Sequence, residues 1–212
     1  MSSPTRASIS FSKSSEARSR ASQLFDGSRV IVDNDVDQAL VERFRNGDRE
    51  AFTALMIRYQ RPIYNAAFWI VKSADDARDI AQSVFLKVAE HLDEFDPHHR
   101  FFSWIYRIAV NESLNLLRRN GHEEPLDDEI DLPGADDGPE SQVRDAERQR
   151  YIQRALLTMS AMDRTVIVLR HFSECSYQEI ARILEVDEKT VKSRLFEARQ
   201  RLRELLKDFR PD

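Results

Sequence analysis

The chain has 212 residues, of which 41% are hydrophobic and 33% charged, enough for one or two soluble helical units with modest cores. No apolar run is long enough to span a membrane, so no membrane insertion is expected, and the single cysteine, Cys175, excludes an internal disulfide scaffold. A net charge of −5, taken whole, argues against a nucleic-acid partner, yet nine acids and no bases crowd residues 123–140, and without those acids the chain would carry +4.

Residues 1–34 hold ten serines and few apolar residues, a composition that predicts a disordered tail. A Ser- and Arg-rich start is also the composition of an organellar transit peptide, but Glu16, Asp26 and Asp33 argue against that, and no apolar stretch suits a signal peptide. From 35 to 120 the pattern is densely helical: DVDQALVERFRNG, DREAFTALMIRYQRPIYNAAFWIVK, SADDARDIAQSVFLKVAEHL and FFSWIYRIAVNESLNLLRRNG predict four helices around one core. Gly47 and Gly121 sit where helices should stop, Asp48 and Ser73 can cap new ones, and Pro62 predicts a helix boundary or kink.

The fourth of these helices carries Trp104, Arg107, Asn111, Asn115 and Arg118 at spacings of 3, 4, 4 and 3, which puts them on one stripe. Amides can read base edges, guanidiniums can hold phosphates, and an indole offers a flat surface to an unstacked base. An ordinary solvated face is the competing reading. Before this helix, EFDPHHRFF places Phe95, His98, His99, Arg100 and Phe101 in a loop shaped by Pro97, where Phe95 and Phe101 could equally be tucked into the core.

Residues 121–141 are acidic and rich in Pro and Gly, which predicts a flexible linker, and a second helical unit follows over 142–209. Its expected helices are 142–158, 163–172, 177–184 and 188–208. Ser176 and Glu179 have capping-box spacing, Ile180, Ala181 and Leu184 give a short helix its apolar face, and Asp187 can cap a longer helix after a turn at 185–187. In that longer helix Val191, Leu195, Ala198, Leu202, Leu205 and Leu206 form an apolar stripe. Lys189, Lys192, Ser193, Phe196, Arg199 and Arg203 lie opposite or beside it. This order is a helix-turn-helix, whose second helix should enter the major groove of DNA.

His171 and Cys175 are four apart, but two ligands are too few for a metal centre, and His91, His98, His99 and His122 have no recognised ligand spacing. No acid/base pair can be held rigidly by the linker carboxylates, so the chain is expected to be neither an enzyme nor the holder of a cofactor or metal. The fold class is all-α: two helical domains joined by an acidic flexible linker.

LVERFRNGDREAFTALMIRYQRPIY, FSWIYRIAVNESLNLLRR and SYQEIARILEVDEKTVKSRLFEARQRL together resemble bacterial sigma factors of the extracytoplasmic function (ECF) group, and somewhat its envelope-stress members. The resemblance makes 35–120 sigma domain two and 142–209 sigma domain four. It implies a cytoplasmic transcription initiation factor that binds core RNA polymerase and promoter DNA, both duplex and single-stranded. Asp79, Gln82 and Phe85 match positions that dock on the polymerase clamp helices. Phe95, His98, His99, Arg100, Phe101, Trp104, Arg107, Asn111, Asn115 and Arg118 are implied to capture the minus-10 element. Lys189, Thr190, Lys192, Ser193, Arg194, Phe196, Arg199 and Arg203 are implied to recognise the minus-35 element. The linker is implied to thread the polymerase cleft toward the RNA exit path.

The chain departs from the family pattern in three places. Ser83 and Arg78 stand where many members carry acids, which should weaken docking on a basic clamp surface, and phosphorylation of Ser83 would restore negative charge. Glu185 occupies a turn position where Gly is common. Restraint by an anti-sigma factor, a regulatory kinase or the tail itself stays open, as does a rival reading: a helix-turn-helix regulator acting on duplex DNA without polymerase.

Overall fold

The structure, a computed structural model, describes residues 33–120 and 151–207. Most of the Ser-rich tail, the acidic linker and the first part of the helix expected from residue 142 lie outside the described residues.

Helix α1 (Asn34–Arg45) starts at Asp33, whose carboxylate accepts from the Asp35 and Val36 N–H groups at 3.2 and 3.3 Å. The chain turns at Gly47, where φ is +90°, and Asp48 caps α2 (Arg49–Val71) while pairing with Arg43 at 2.6 Å. Helix α3 (Ala74–His91) is capped by Ser73, and α4 (Phe101–Arg119) follows a short 3-10 turn at Leu92–Glu94.

Of the two expectations for Pro62, a boundary or a kink, the boundary is overturned: α2 runs through it. A proline inside a helix removes one backbone hydrogen bond and costs about 3 kcal/mol. Burial offsets that cost here, because Leu55, Tyr59, Ile63, Ala67 and Ile70 are fully buried on both sides of it. Helix α2 is thus the central post of the first unit, packed by α1, α3 and α4. Deep against it, Asp37 accepts from the Tyr59 hydroxyl and pairs with Arg58 at 2.9 Å. Burial raises the Asp37 carboxyl above its ordinary value, and the tyrosine and the guanidinium oppose that rise.

The second unit holds α5 (helical over 151–158), α6 (Ala161–Ile167), α7 (Tyr177–Leu184) and α8 (Glu188–Leu205). Helix α6 widens into a π-turn at Val168–Phe172, with the Ser173 N–H donating to the Val168 carbonyl at 3.1 Å. No strand occurs among the described residues.

The two units share one core. Val168, Leu169, Cys175, Ile180 and Ile183 of the second cluster with Phe68, Trp69, Tyr106 and Val110 of the first. Buried Arg164 of α6 donates to the Leu157 and Met159 carbonyls and, at 2.7 Å, to the Ile70 carbonyl of α2. Helix α7 lies along α4.

Candidate nucleic-acid interface

The helix-turn-helix is built as its spacing predicts. The Ser176 hydroxyl accepts from the Glu179 N–H at 3.2 Å and the Glu179 carboxylate accepts from the Ser176 N–H at 2.8 Å, so both halves of the capping box are closed. Glu185 ends α7 in the left-handed region at φ +53°, the conformation that glycine usually supplies. Asp187 then caps α8, accepting from the Thr190 N–H at 2.7 Å and from its hydroxyl at 2.8 Å, and these bonds hold the Asp187 carboxyl below its ordinary value.

Val191, Leu195 and Ala198 bury the inner face of α8. Lys189, Lys192, Ser193 and Arg203 are exposed on the other faces, as is Phe196, an aromatic left 63% exposed. Arg194 and Arg199 are half-buried: Arg194 leans on the Met162 sulfur at 3.7 Å, and Arg199 donates to His171 Nε2 at 3.1 and 3.3 Å. Lys192 pairs with Glu188 at 2.6 Å and lies 5.7 Å from the Tyr177 ring. His171 and Cys175 diverge: the imidazole faces Arg199, and the thiol is buried, where desolvation pushes it well above its ordinary value.

In the first unit the loop before α4 is pinned from α1. Arg45 donates to the Leu92 carbonyl at 2.8 Å and to that of Phe95, while Gln38 donates to the Pro97 carbonyl at 2.7 Å. His98, His99 and Arg100 are thereby presented to solvent. Phe95 and Phe101 are core residues, 2% and 0% exposed, which corrects their assignment as direct base contacts. Their rings back the half-buried Trp104 at centroid distances of 5.3 and 5.8 Å, so they fix the indole from the core side.

Along α4, Asn111 and Arg118 are exposed and Arg107 and Asn115 half-exposed, with Arg118 donating to the Asn115 side-chain oxygen. Sequence reasoning missed three neighbours that turn the stripe's end into a polar pocket of about 460 Å³: Lys87, Glu112 and Arg119. Lys87 pairs with Glu112, which also accepts from Ser83 at 3.3 Å. The available signal was positional, since Lys87 lies one turn beyond Ser83 and Glu112 directly follows Asn111.

Between α2 and α3 runs an apolar groove of about 740 Å³, lined by Phe52, Met56, Tyr64, Gln82, Phe85 and Leu86, with Arg61 and Arg78 also among its lining residues. Gln82 is exposed, Phe85 offers only an edge, and Leu86, which the sequence reading did not single out, is 64% exposed. Asp79 is exposed on the same helix, and Arg78 pairs with Asp75 at 2.6 Å. One helical unit thus carries an apolar groove and a polar stripe beside a half-buried indole, and the other carries a helix with an exposed basic face.

Family models reproduce this division: residues 55–123 match Sigma-70 region 2 and residues 149–202 match Sigma-70, region 4. The RNA polymerase sigma-H factor of Pseudomonas aeruginosa is 31% identical over 181 residues, covering 80% of this chain and 93% of that protein. The ECF RNA polymerase sigma-E factor of Escherichia coli is 34% identical over 174 residues, covering 77% of this chain and 91% of that one. Among solved structures, the Bartonella quintana sigma factor RpoE, crystallised with the anti-sigma factor NepR, superposes with a TM-score of 0.61 at 26% identity, covering 75% of this chain and 98% of that one. The chain belongs to the ECF sigma factors of bacterial RNA polymerase.

Proposed function

We propose that this protein is the promoter-recognising initiation subunit of a bacterial RNA polymerase, with a division of labour between its two units. The α2/α3 groove takes the polymerase: an apolar trough with Leu86 exposed in it suits the flank of a helical partner, and Asp79 and Gln82 supply polar contacts at its edge. Helix α8 enters the major groove of the minus-35 element. There Lys189, Lys192, Arg199 and Arg203 hold phosphates, while Thr190, Ser193, Arg194 and Phe196 meet base edges and methyl groups.

The observation that carries the reading is the α4 stripe. An indole stiffened by two buried phenylalanines stands on one helical face with two amides and two guanidiniums. Flipping a base out of a duplex costs a few kcal/mol, so a surface whose contacts exist only for an unstacked base converts binding energy into melting. His98, His99 and Arg100 border that surface from the pinned loop. The work is binding and strand separation, with no covalent chemistry assigned to any side chain, and it belongs in the cytoplasm. No helix among the described residues is long and apolar enough to cross a membrane. An anti-sigma protein of the kind bound to the Bartonella relative is the partner class expected to restrain it.

Run-off transcription from a promoter library with purified core polymerase tests the reading, with Asn111→Ala and Lys192→Ala alongside the parent chain. Transcription that depends on both residues is expected; promoter opening by Asn111→Ala equal to the parent removes the strand-capture role. A helix-turn-helix regulator acting alone would bind its duplex site without polymerase, but it has no use for a base-reading stripe on the other unit.

A further inference from the structure

Two arginines assigned to the strand-capture surface are already occupied, and by carboxylates of the other helical unit. Arg100, at the mouth of α4, donates to Glu179 of α7 at 2.7 Å, and Arg107, on the stripe, donates to Glu185 at 3.1 Å. Both acids come from the first helix of the helix-turn-helix and the turn after it, and both pairs cross the seam between the units. Helix α7 lies along α4, while Ile108, Leu114 and Leu117 of α4 pack into the core that both units share.

The two ends of the molecule are treated differently by this arrangement. On α8 the side chains Lys189, Lys192, Ser193, Phe196 and Arg203 stay exposed, and the carboxylate on Lys192, that of Glu188, belongs to α8 itself rather than to the other unit. On α4 the guanidiniums closest to the second unit face negative charge. A carboxylate and a phosphate oxygen make the same charge-assisted bond to guanidinium, so one excludes the other at a given pair of N–H groups.

We propose that Glu179 and Glu185 act as built-in substitutes for DNA phosphates: domain four, closed on domain two, withholds Arg100 and Arg107 from single-stranded DNA while leaving the duplex-reading helix free. This rests on the strand-capture reading of α4 given above. Glu185 is exposed and Arg107 half-exposed, and such a pair contributes little to stability, so it is suited to exchange for a phosphate. Glu179 is buried and fixed by its capping box, so there it is the exposed Arg100 that turns from carboxylate to phosphate. The shared core around Trp69 and Phe172 does the holding. The competitor comes with the chain, and separating the units removes it.

The full-length chain is titrated with a fluorescent single-stranded DNA 12-mer of mixed sequence at several salt concentrations. The variant Glu179→Gln/Glu185→Gln keeps hydrogen-bonding side chains at both positions, and Glu185→Gln alone leaves the capping box untouched should the double variant fold poorly. Glu197→Gln/Glu204→Gln removes the same charge from α8, away from the seam, and controls for net charge. Freed guanidiniums should gain about two phosphate contacts, raising affinity about tenfold over the control and steepening the log–log salt slope by about 1.4. Affinity equal to that of the control overturns the proposal. In the Glu179→Gln/Glu185→Gln background, Arg100→Gln/Arg107→Gln should abolish the gain. A gain that survives the loss of both arginines overturns the proposal by removing their strand-capture role. No gain, with weaker binding when the arginines are lost from the parent chain, leaves that role standing and rejects only the substitution by carboxylates.

Discussion

Trp69 of α2 and Phe172 of the π-turn stack across the junction of the two units, ring centroids 5.7 Å apart and planes 25° from parallel. Trp69 is 1% exposed, packed by Phe68 of its own helix and by Phe172 of the other unit, and one apolar core serves both. Replacing Phe172 with alanine removes a ring pair worth about 0.5–1.5 kcal/mol beyond its area. The melting temperature should fall by several degrees and Trp69 emission should shift to the red. The chain has two tryptophans, so the measurement is made in a Trp104→Phe background. An unshifted emission would show that the stack does not shield Trp69 in solution.

Arg164 is fully buried and serves three carbonyls, those of Leu157, Met159 and Ile70. Methionine at this position would fill similar volume but leave those acceptors without their donor, and an unmade bond at a buried group costs about 1–3 kcal/mol. Arg164→Met is therefore expected to destabilise the chain by about 3 kcal/mol or more in urea denaturation. Arg164→Lys should recover only part, because an ammonium cannot reproduce the planar fork. Equal midpoints for the parent chain and Arg164→Met would show the three bonds to be dispensable.

Local rules were enough for the helices and their caps: Asp48, Ser73, Ser176 and Asp187 each accept the backbone N–H their position implies. They were enough, too, to bring Trp104, Arg107, Asn111, Asn115 and Arg118 onto one helix. What local rules miss is set by packing between distant segments. Pro62 reads as a breaker until the burial around it is known. Phe95 and Phe101 read equally as loop aromatics or core, and only the pinning by Arg45 and Gln38 turns them inward. No local pattern marks Arg164 as buried. Nothing in a linear pattern pairs Arg100 with a glutamate 79 positions away.

Acid should loosen the helix-turn-helix. Burial pushes the Glu179 carboxyl up, but the Ser176 N–H and hydroxyl and the Arg100 guanidinium more than offset this, leaving it below its ordinary 4.5. A carboxyl depressed in the folded state binds fewer protons there than when unfolded, so its contribution is complete above pH 4.5 and fades as pH falls through the folded value. The melting-temperature gap between the parent and Glu179→Gln should be constant near neutrality and shrink below pH 4.5. A gap that persists undiminished in acid would assign the effect to packing instead of charge.

Ser83 sits on the same helix as the docking groove, its hydroxyl 3.3 Å from Glu112, with Lys87 also on that carboxylate. A phosphate here would bring about −1.5 to −2 charge against Glu112 and compete with it for Lys87. It would also return negative charge to the helix on which Arg78 and Ser83 stand in place of acids. Ser83→Asp should bind core polymerase several-fold more tightly than Ser83→Ala in a pull-down titration at low salt. Indistinguishable affinities would leave no role for a kinase at this position.

Lys192 must exchange one partner for another when α8 meets DNA. Its ammonium now lies on Glu188, which raises its pKa and keeps it charged, and the same carboxylate opposes an approaching phosphate. Losing one phosphate contact on duplex DNA lowers the log–log salt slope by about 0.9. Lys192→Ala should show that flatter slope with weaker binding, while Glu188→Gln should bind the same duplex more tightly with the parent slope, because it frees the lysine without adding a contact. Assays at two or more salt concentrations separate the two effects. A Lys192→Ala slope identical to the parent would move this residue from the phosphate-holding set to the base-reading one.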